Sequence, residues 1–431
     1  MIELIEIFLL FGFFSVLLFV PINNFGEGLK KYKVSQIEIS TFNLIINLNL
    51  LLFLSLLNYS LDVYQAYLIL LYLISFFIIY YKNLSFFYKN CFKYSYVFVV
   101  FFILAINVAS ELKLGWDAQF FYYIKSLYFF ENHTISNLND FQYNRYHPHF
   151  GSYLWGFFRW FSVNDLEYFG RFFYLFIFCI SVFYLNFKEK NNYFNIVLYL
   201  IIIILIYQYK YFSGLQDILL FSILAIISKY IHNYTISKDK IYLFYILLSC
   251  NLMLWIKSEG LVYSLIVILI INFLFKEKIK TKILITVIFL ISYLLKKYIY
   301  MYYNFNQIAQ DTYSLSYIYN LNFEIIIYKL KYITSWLIYY SLDNIIITVG
   351  VIFLLVGIVK KYKYNYENII RLHFFLTIGF IYSAYIFRDH EILHAIRVTM
   401  ERLLMSSSGF YLYYILNKIE DLFKKKAFKI L

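Results

Sequence analysis

The sequence predicts an all-α, polytopic membrane protein. Of its 431 residues, 62% are hydrophobic and only 15% are charged, well below the roughly 25% of an ordinary soluble domain. The chain has 13 Gly and 2 Pro, too few turn-forming residues for a β-sandwich or β-barrel. Apolar runs of about 20 residues, the length that crosses the hydrocarbon core of a bilayer, recur from end to end. These observations exclude a soluble globule and predict one membrane domain.

About 13 transmembrane helices account for the long apolar runs. They are predicted near residues 4–20, 41–57, 64–81, 94–110, 169–187, 193–211, 216–231, 241–256, 260–275, 282–300, 344–359, 369–387 and 403–417. Two shorter apolar stretches, 149–162 and 323–341, are interrupted by Arg159 and by Lys329 and Lys331. We expect both to be helices lying in the membrane interface.

The distribution of positive charge orients these spans. If the two interfacial helices do not cross the membrane, 24 of the 38 Lys and Arg fall on one side of it. Basic residues of short loops stay on the cytoplasmic side. We therefore attribute the formal charge of +13 to basic residues in the cytoplasmic loops, and we expect no nucleic-acid partner. Cys91, Cys179 and Cys250 have no metal-ligand spacing. The amino terminus is predicted outside and the carboxyl terminus inside, so most other polar residues collect on the outer face.

The first outer loop, 111–168, carries candidate functional residues. Trp116-Asp117 opens a stretch with the helical spacing of an amphipathic surface helix over 117–130. Asp117 at its start suits an N-cap as well as a catalytic carboxylate. Further on, Arg145, His147 and His149 could donate to an anion. The two histidines could also bind a metal, and Arg145 could simply anchor the loop at the interface.

Later ionisable residues stand at the predicted outer ends of spans. Asp217 begins one span, and Lys257 with Glu259 occupies a turn between two others. Charges at such depths are costly, so they usually have partners or face a polar cavity, and Lys257 and Glu259 could simply pair with each other. His390, His394, Arg397 and Glu401 repeat at helical spacing and lead to Arg402. This pattern suits a solvated helix face or a buried polar stripe opposite Asp117.

The order of these motifs resembles the GT-C class of integral-membrane glycosyltransferases, most closely bacterial members that use sugars carried on polyprenyl phosphate. The resemblance covers about residues 94–417. The motifs that carry it are Gly115-Trp116-Asp117-Ala118, His147-Pro148-His149, Ser213-Gly214-Leu215-Gln216-Asp217, Lys257-Ser258-Glu259-Gly260 and Thr399-Met400-Glu401-Arg402. It implies three accessory helices in 1–93, a catalytic membrane domain in 94–417 with the outer loop 111–168, and a basic cytoplasmic tail in 418–431.

The resemblance also implies a function. The protein would move a sugar from a polyprenyl-phosphate donor to a hydroxyl of a lipid or glycan acceptor, on the periplasmic face of a bacterial inner membrane, in envelope glycan or glycolipid synthesis. Membrane lipids would be further partners. The one acidic residue at the start of the loop, where the class has an adjacent pair, leaves a Mg²⁺ or Mn²⁺ cofactor open.

Roles for individual residues follow from that chemistry. A sugar phosphate is already a good leaving group, so catalysis needs a base on the acceptor hydroxyl and positive charge on the phosphate. The resemblance implies that Asp117 is the base. We expect the phosphate ligands to be Arg397 and Arg402, followed by Lys257, Arg145 and His147. We expect Asp217 and Glu259 to be second acidic, acceptor or metal residues, and the aromatic residues expected to stack on sugars are Trp116, Tyr122 and Tyr146.

Two other functions fit parts of the same pattern. A polymerase or ligase of the O-antigen type also uses Arg and His on the outer face, but it normally has a large late outer loop. A lipid-linked-sugar flippase would need ionisable groups along a path through the bilayer, whereas here they collect at one face. A non-catalytic assembly subunit is the third alternative.

Overall fold

The fold consists of helices throughout the part of the chain that is described. The computed structural model describes residues 2–19, 36–62, 69–70, 73–74, 84–140, 146–186, 192–305, 319, 322–359, 365–388 and 392–430. The α-helices are α1 (Ile2–Phe19), α2 (Gln36–Leu56), α3 (Leu84–Ser110), α4 (Ile124–Phe130), α5 (Phe150–Arg159), α6 (Tyr168–Asn186), α7 (Asn192–Ile206), α8 (Asp217–Ser237), α9 (Lys240–Ile256), α10 (Glu259–Leu274), α11 (Ile279–Tyr302), α12 (Phe323–Asp343), α13 (Ile345–Val359), α14 (Asn365–Ile386) and α15 (Ile392–Ile430).

This architecture is that of a polytopic membrane protein. Among the described residues, five helices are individually long and apolar enough to cross a bilayer. They are Ile37–Leu56, Tyr168–Leu185, Asp217–Ser237, Ile279–Tyr302 and Tyr366–Ile386. Other apolar helices of 10–17 residues lie between them. Twelve of the thirteen apolar runs coincide with a described helix, and the run at 64–81 lies mostly outside the described residues.

The two stretches expected at the interface behave differently. Helix α5 has ten residues, about 15 Å at the usual rise, so it is too short to cross the membrane. All ten of its residues are buried, so this short helix packs inside the protein, and its position at the membrane interface stays a prediction. Helix α12 is bent by 99° from α13, so the two helices do not continue in one straight span.

Helix α8 lies at the centre of the molecule, between α6, α9 and α15. It meets α15 at Ser406-Ser407-Ser408-Gly409, where a Cβ on Gly409 would lie 2.1 Å from the carbonyl oxygen of Phe221. The Ser228 hydroxyl also donates to the Phe410 carbonyl at 2.6 Å. Small residues let helix backbones approach closely inside membranes. This contact holds together the two helices that carry Asp217 and Arg402.

The first two helices pack into the same core. Asn43 and Asn47 of α2 donate to the carbonyls of Leu18 and Leu17 in α1, at 2.8 and 2.7 Å. Asn49 of α2 donates to the Leu248 carbonyl of α9 at 3.3 Å. These helices therefore support the region that follows them.

A buried arginine at the start of α6 ties the outer segments together. The Arg171 side chain is fully buried, and its Nε and Nη2 each lie 2.8 Å from a carboxylate oxygen of Glu167. Its Nη1 donates to the Tyr209 hydroxyl at 3.2 Å and to the Phe212 carbonyl at 3.4 Å. Arg171 thus fixes the approach to Asp217.

Replacing Arg171 with Met should strongly destabilise the fold, because it leaves the mostly buried Glu167 without its cation. Breaking a buried pair in this way costs about 3–5 kcal/mol, and thermal unfolding in detergent measures the loss. Adding Glu167→Gln should recover part of it. The control is Arg371→Met, since Glu367 keeps Lys418 at 3.0 Å. Equal losses in the two single variants would contradict the role given to Arg171.

Candidate functional site

One end of the helical bundle brings five charged residues into one contact network. The Nη1 of Arg402 pairs with a carboxylate oxygen of Asp117, and its Nε lies 3.0 Å from Asp217 Oδ2. The Lys257 Nζ lies 2.6 Å from Asp217 Oδ1 and 3.2 Å from Glu259 Oε1. Residues from α8, α15, the α9–α10 turn and the outer loop therefore meet at one place.

Burial divides the carboxylates of this network into two kinds. The Asp217 side chain is fully buried, whereas those of Asp117 and Glu259 are 20% and 25% exposed. Asp217 also accepts from the Ser406 hydroxyl at 3.3 Å. Asp217 thus holds Arg402 and Lys257 in place, while Asp117 and Glu259 are partly exposed.

The local backbone gives Asp117 its direction. Ala118–Tyr123 forms a π-helix that continues into α4, and short π segments are rare and frequently lie at functional sites. The Asp117 side chain makes no capping hydrogen bond. The capping alternative is therefore not what the structure shows, since the carboxylate turns to Arg402.

A tight turn before α8 supports the Asp117 segment. The Gly115 amide donates to the Ser213 carbonyl at 2.8 Å. Gly214 adopts a φ of +88°, and a Cβ there would lie 2.3 Å from Cη2 of Trp155 and 2.8 Å from Cβ of Ala118. Glycine is required at this position for both its conformation and its lack of a side chain.

The Tyr122 phenol belongs to the same electrostatic environment. Burial raises the pKa of Tyr122 to about 12, although the nearby charges of Lys257 and Arg402 act to lower it. Lys257 shows the opposite balance: burial lowers the pKa, but the carboxylates of Asp217 and Glu259 outweigh it and raise the pKa above its ordinary value. Near neutral pH, Lys257 is charged and Tyr122 keeps its proton.

His147 lies beside the network in a neutral form. Burial, reinforced by the charges of Lys125 and Lys257, lowers the pKa of His147 to about 3. Its Nδ1 is 3.4 Å from the Ser258 hydroxyl, and its carbonyl accepts from the Lys125 Nζ at 3.0 Å. His147 can offer a neutral N–H to a ligand but no positive charge. Burial also lowers the pKa of Lys125 to about 7.

His149 has a structural position. It is fully buried, with Nε2 3.0 Å from the Ser55 hydroxyl and Nδ1 3.4 Å from the Tyr300 hydroxyl. It therefore connects α2, α5 and α11 and does not reach the charged network.

Arg397, a first choice for the phosphate, lies elsewhere. Its guanidinium sits over the Trp336 ring, 5.6 Å from the ring centroid, and no ion pair joins it to Asp117 within the described ranges. His394 is also exposed, and Glu401 pairs with Lys210 and accepts from the Tyr211 hydroxyl at 3.1 Å. His394, Arg397 and Glu401 therefore do not form the buried polar stripe that was expected opposite Asp117.

The remaining predicted residues are peripheral or outside the described residues. Trp116 is exposed and contacts Phe120, with ring centroids 5.0 Å apart. Tyr146 is half-buried, 4.7 Å from the His147 ring, and burial raises its pKa. Arg145 and His390 lie outside the described residues.

The sequence interpretation missed Arg171. Its signal was a Glu167–Arg171 spacing of four residues at the start of an apolar run, which favours an ion pair on a helix.

Among the described residues, no group of three His, Cys, Asp or Glu side chains is placed to hold a metal ion. The Arg402 guanidinium lies between the two aspartates.

No family model, curated protein or solved structure matches this chain.

Replacing Gly214 with Ala should destabilise the protein by about 1–3 kcal/mol, because the new Cβ is both strained and overpacked against Trp155. The measurement is thermal unfolding in detergent. Gly379→Ala is the matched control, since a Cβ there meets nothing within 4 Å. We expect that control to be neutral or slightly stabilising. A neutral Gly214→Ala variant would refute the requirement for glycine.

Stability should fall on acidification through His149. Burial holds the pKa of His149 near 3, against its ordinary value of 6.5. Below pH 6.5 the unfolded chain therefore binds more protons, so the stabilisation is complete above 6.5 and is lost as the pH falls toward 3. Between pH 7 and pH 5 the loss from this group is about 2 kcal/mol.

The variant His149→Gln tests this assignment, because it cannot titrate. Its melting temperature should depend less on pH between 7 and 5 than that of the unaltered protein. His133→Gln serves as a control on an exposed histidine. An unchanged pH slope in His149→Gln would show that other groups cause the acid sensitivity.

Proposed function

We propose that this protein is a membrane glycosyltransferase that moves a sugar from a polyprenyl-phosphate donor to an acceptor hydroxyl on the extracytoplasmic side. The observation that carries the proposal is the pairing of Arg402 with both Asp117 and Asp217. These aspartates precede Arg402 by 285 and 185 residues in the sequence. An accessible carboxylate and a phosphate-binding guanidinium are the two groups this reaction needs at one place. The resemblance of the same motifs to the GT-C class adds to this support.

The proposed reaction is a displacement at C1 of the sugar. The Asp117 carboxylate accepts the proton of the acceptor hydroxyl, whose oxygen bonds to C1 with inversion. The bond between C1 and the phosphate oxygen breaks, and its electron pair leaves with the polyprenyl phosphate. Because that leaving group is already stable, no general acid is required.

Positive charge on the phosphate comes from Arg402 and Lys257. Both cations are already paired: the network contains three carboxylates and two cations, a net charge of −1. An arriving phosphate therefore has to compete with Asp117 for the Nη1 end of Arg402, while Nε stays on the buried Asp217. The same exchange would release the Asp117 carboxylate from its cation, so that it can meet the acceptor hydroxyl when the donor is present.

The neighbouring polar groups take supporting roles. The protonated Tyr122 hydroxyl and the neutral His147 imidazole are hydrogen-bond donors close to the charged network, suited to sugar hydroxyls or phosphate oxygens. Glu259, with 25% of its side chain exposed, is placed to orient the acceptor. Trp116 and Tyr146 remain the aromatic candidates for sugar stacking, and a bacterial inner membrane remains the proposed location. A divalent cation is not needed for this mechanism.

The decisive variant is Asp117→Asn, which removes the base but keeps the shape of the side chain. We expect at least about a 100-fold loss of transfer, the usual contribution of a general base, with donor binding retained. The assay follows labelled sugar from polyprenyl-phosphate glucose, mannose or galactose to membranes of a strain that lacks the protein, because those membranes retain unglycosylated acceptor.

Asp140→Asn is the matched control, since Asp140 is an exposed aspartate of the same outer loop. It should transfer sugar at the normal rate. Full activity of Asp117→Asn would remove Asp117 from the mechanism. Movement of the donor across the bilayer by the unaltered protein, without any transfer, would instead favour a flippase.

A further inference from the structure

A second feature of the structure lies on the other side of α15 from the charged network. It is an open apolar groove of about 420 Å³ between α12, α13, α14 and α15. Its walls include Leu337, Val351, Ile378, Leu404 and Tyr411. The volume falls within the roughly 300–1,000 Å³ of pockets that enclose a small ligand.

Four polar side chains of the groove wall contact polar atoms of the protein. Thr348 and Ser407 donate to the carbonyls of Ser341 and Leu404, at 2.7 and 3.0 Å. The Tyr411 hydroxyl lies 2.9 Å from Nδ1 of the buried His373, which also contacts the Thr377 hydroxyl at 3.5 Å. These side chains present little free hydrogen-bonding capacity, so the groove suits a hydrocarbon chain.

Helix geometry separates this groove from the charged network. Leu404, Ser407 and Tyr411 share one face of α15, and Arg402 lies about 200° around the helix from Leu404. Asp117, Asp217 and Arg402 are absent from the groove wall. A chain in the groove therefore cannot belong to a molecule reacting at Asp117 unless it passes around α15.

Arg397 lies on the groove side of α15, at the outer end. It precedes Leu404 by seven residues, two helical turns, which places both on the same face. Its side chain is exposed over Trp336, the residue next to Leu337 in the groove wall. Arg and Trp are suited to the level of lipid headgroups, and a guanidinium binds phosphate oxygens in a bidentate manner.

We propose that this groove is a binding site for an anionic phospholipid of the surrounding bilayer, with one acyl chain in the groove and its phosphate on Arg397. The rim is open to hydrocarbon, since Ile338, Leu342 and Ile352 are exposed by 55%, 67% and 53%. The site stabilises the position of α12 against α15. It is separate from the proposed sugar donor site and does not depend on the proposed function.

The test uses the full-length protein in nanodiscs with a phosphatidylglycerol that carries a diazirine at the end of one acyl chain. Photolysis should label peptides of α13, α14 and α15 in the groove. An excess of unlabelled phosphatidylglycerol should compete several-fold better than phosphatidylcholine. Equal competition by the two lipids would overturn the proposal, and stronger competition by polyprenyl phosphate would assign the groove to the donor instead.

Two variants on α13 separate the groove from the general lipid surface. Ile352→Trp fills the rim and should reduce labelling at least fivefold, whereas Leu355→Trp, an exposed position one turn away that does not line the groove, should leave it unchanged. Arg397→Gln should abolish the preference for phosphatidylglycerol over phosphatidylcholine. Equal labelling of both α13 variants, or an unchanged preference in Arg397→Gln, would refute the site. The competition experiment needs no variant, so it decides the question even if one fails to fold.

Discussion

The end of the bundle that carries the charged network depends on one guanidinium. Arg402 is mostly buried, with 12% of its side chain exposed, and the cost of desolvating it is met by carboxylates on both sides. Asp217 supplies a fully buried contact within the helical bundle, and Asp117 supplies one from the outer loop. The loop is therefore held to the membrane domain by charge as well as by packing. Any ligand that binds Arg402 must change the balance between these two partners.

This arrangement explains why the two aspartates differ although both contact the same cation. Asp217 is enclosed by Arg402, Lys257 and the Ser406 hydroxyl, so it has no free access to a substrate. Asp117 contacts Arg402 and keeps 20% of its side chain exposed. In the proposed transfer reaction, the first acts as a positioning residue and the second as the group that meets the acceptor.

Much of the fold and part of the site could be predicted from the sequence. Apolar length and the scarcity of turn residues predict a helical membrane protein, because hydrocarbon forces backbone groups to bond within helices. Asp117, Asp217, Lys257, Glu259 and Arg402 could be singled out because charge at the end of an apolar helix requires partners. The Lys257–Glu259 pair could be predicted from the spacing of the two residues, and the structure contains it. The pairing of Asp117, Asp217, Lys257 and Arg402 follows from the tertiary arrangement, which no local pattern specifies.

The incorrect and missed assignments arise because tertiary packing, which no local pattern specifies, decides which side chains meet. Arg397 and Arg402 are five residues apart, about 140° around a helix, so only one of them could face Asp117, and spacing alone did not say which. The burial of every residue of α5 could not be predicted either, because it depends on which elements pack around the helix. Arg171 escaped notice because it lies inside an apolar run, where its partners Glu167 and Tyr209 become evident only once the chain is folded.

The serine and glycine stretch where α15 meets α8 has a mechanical consequence. Because backbone touches backbone at Gly409, these two helices cannot slide or tilt independently, and Asp217 and Arg402 move together as a single body.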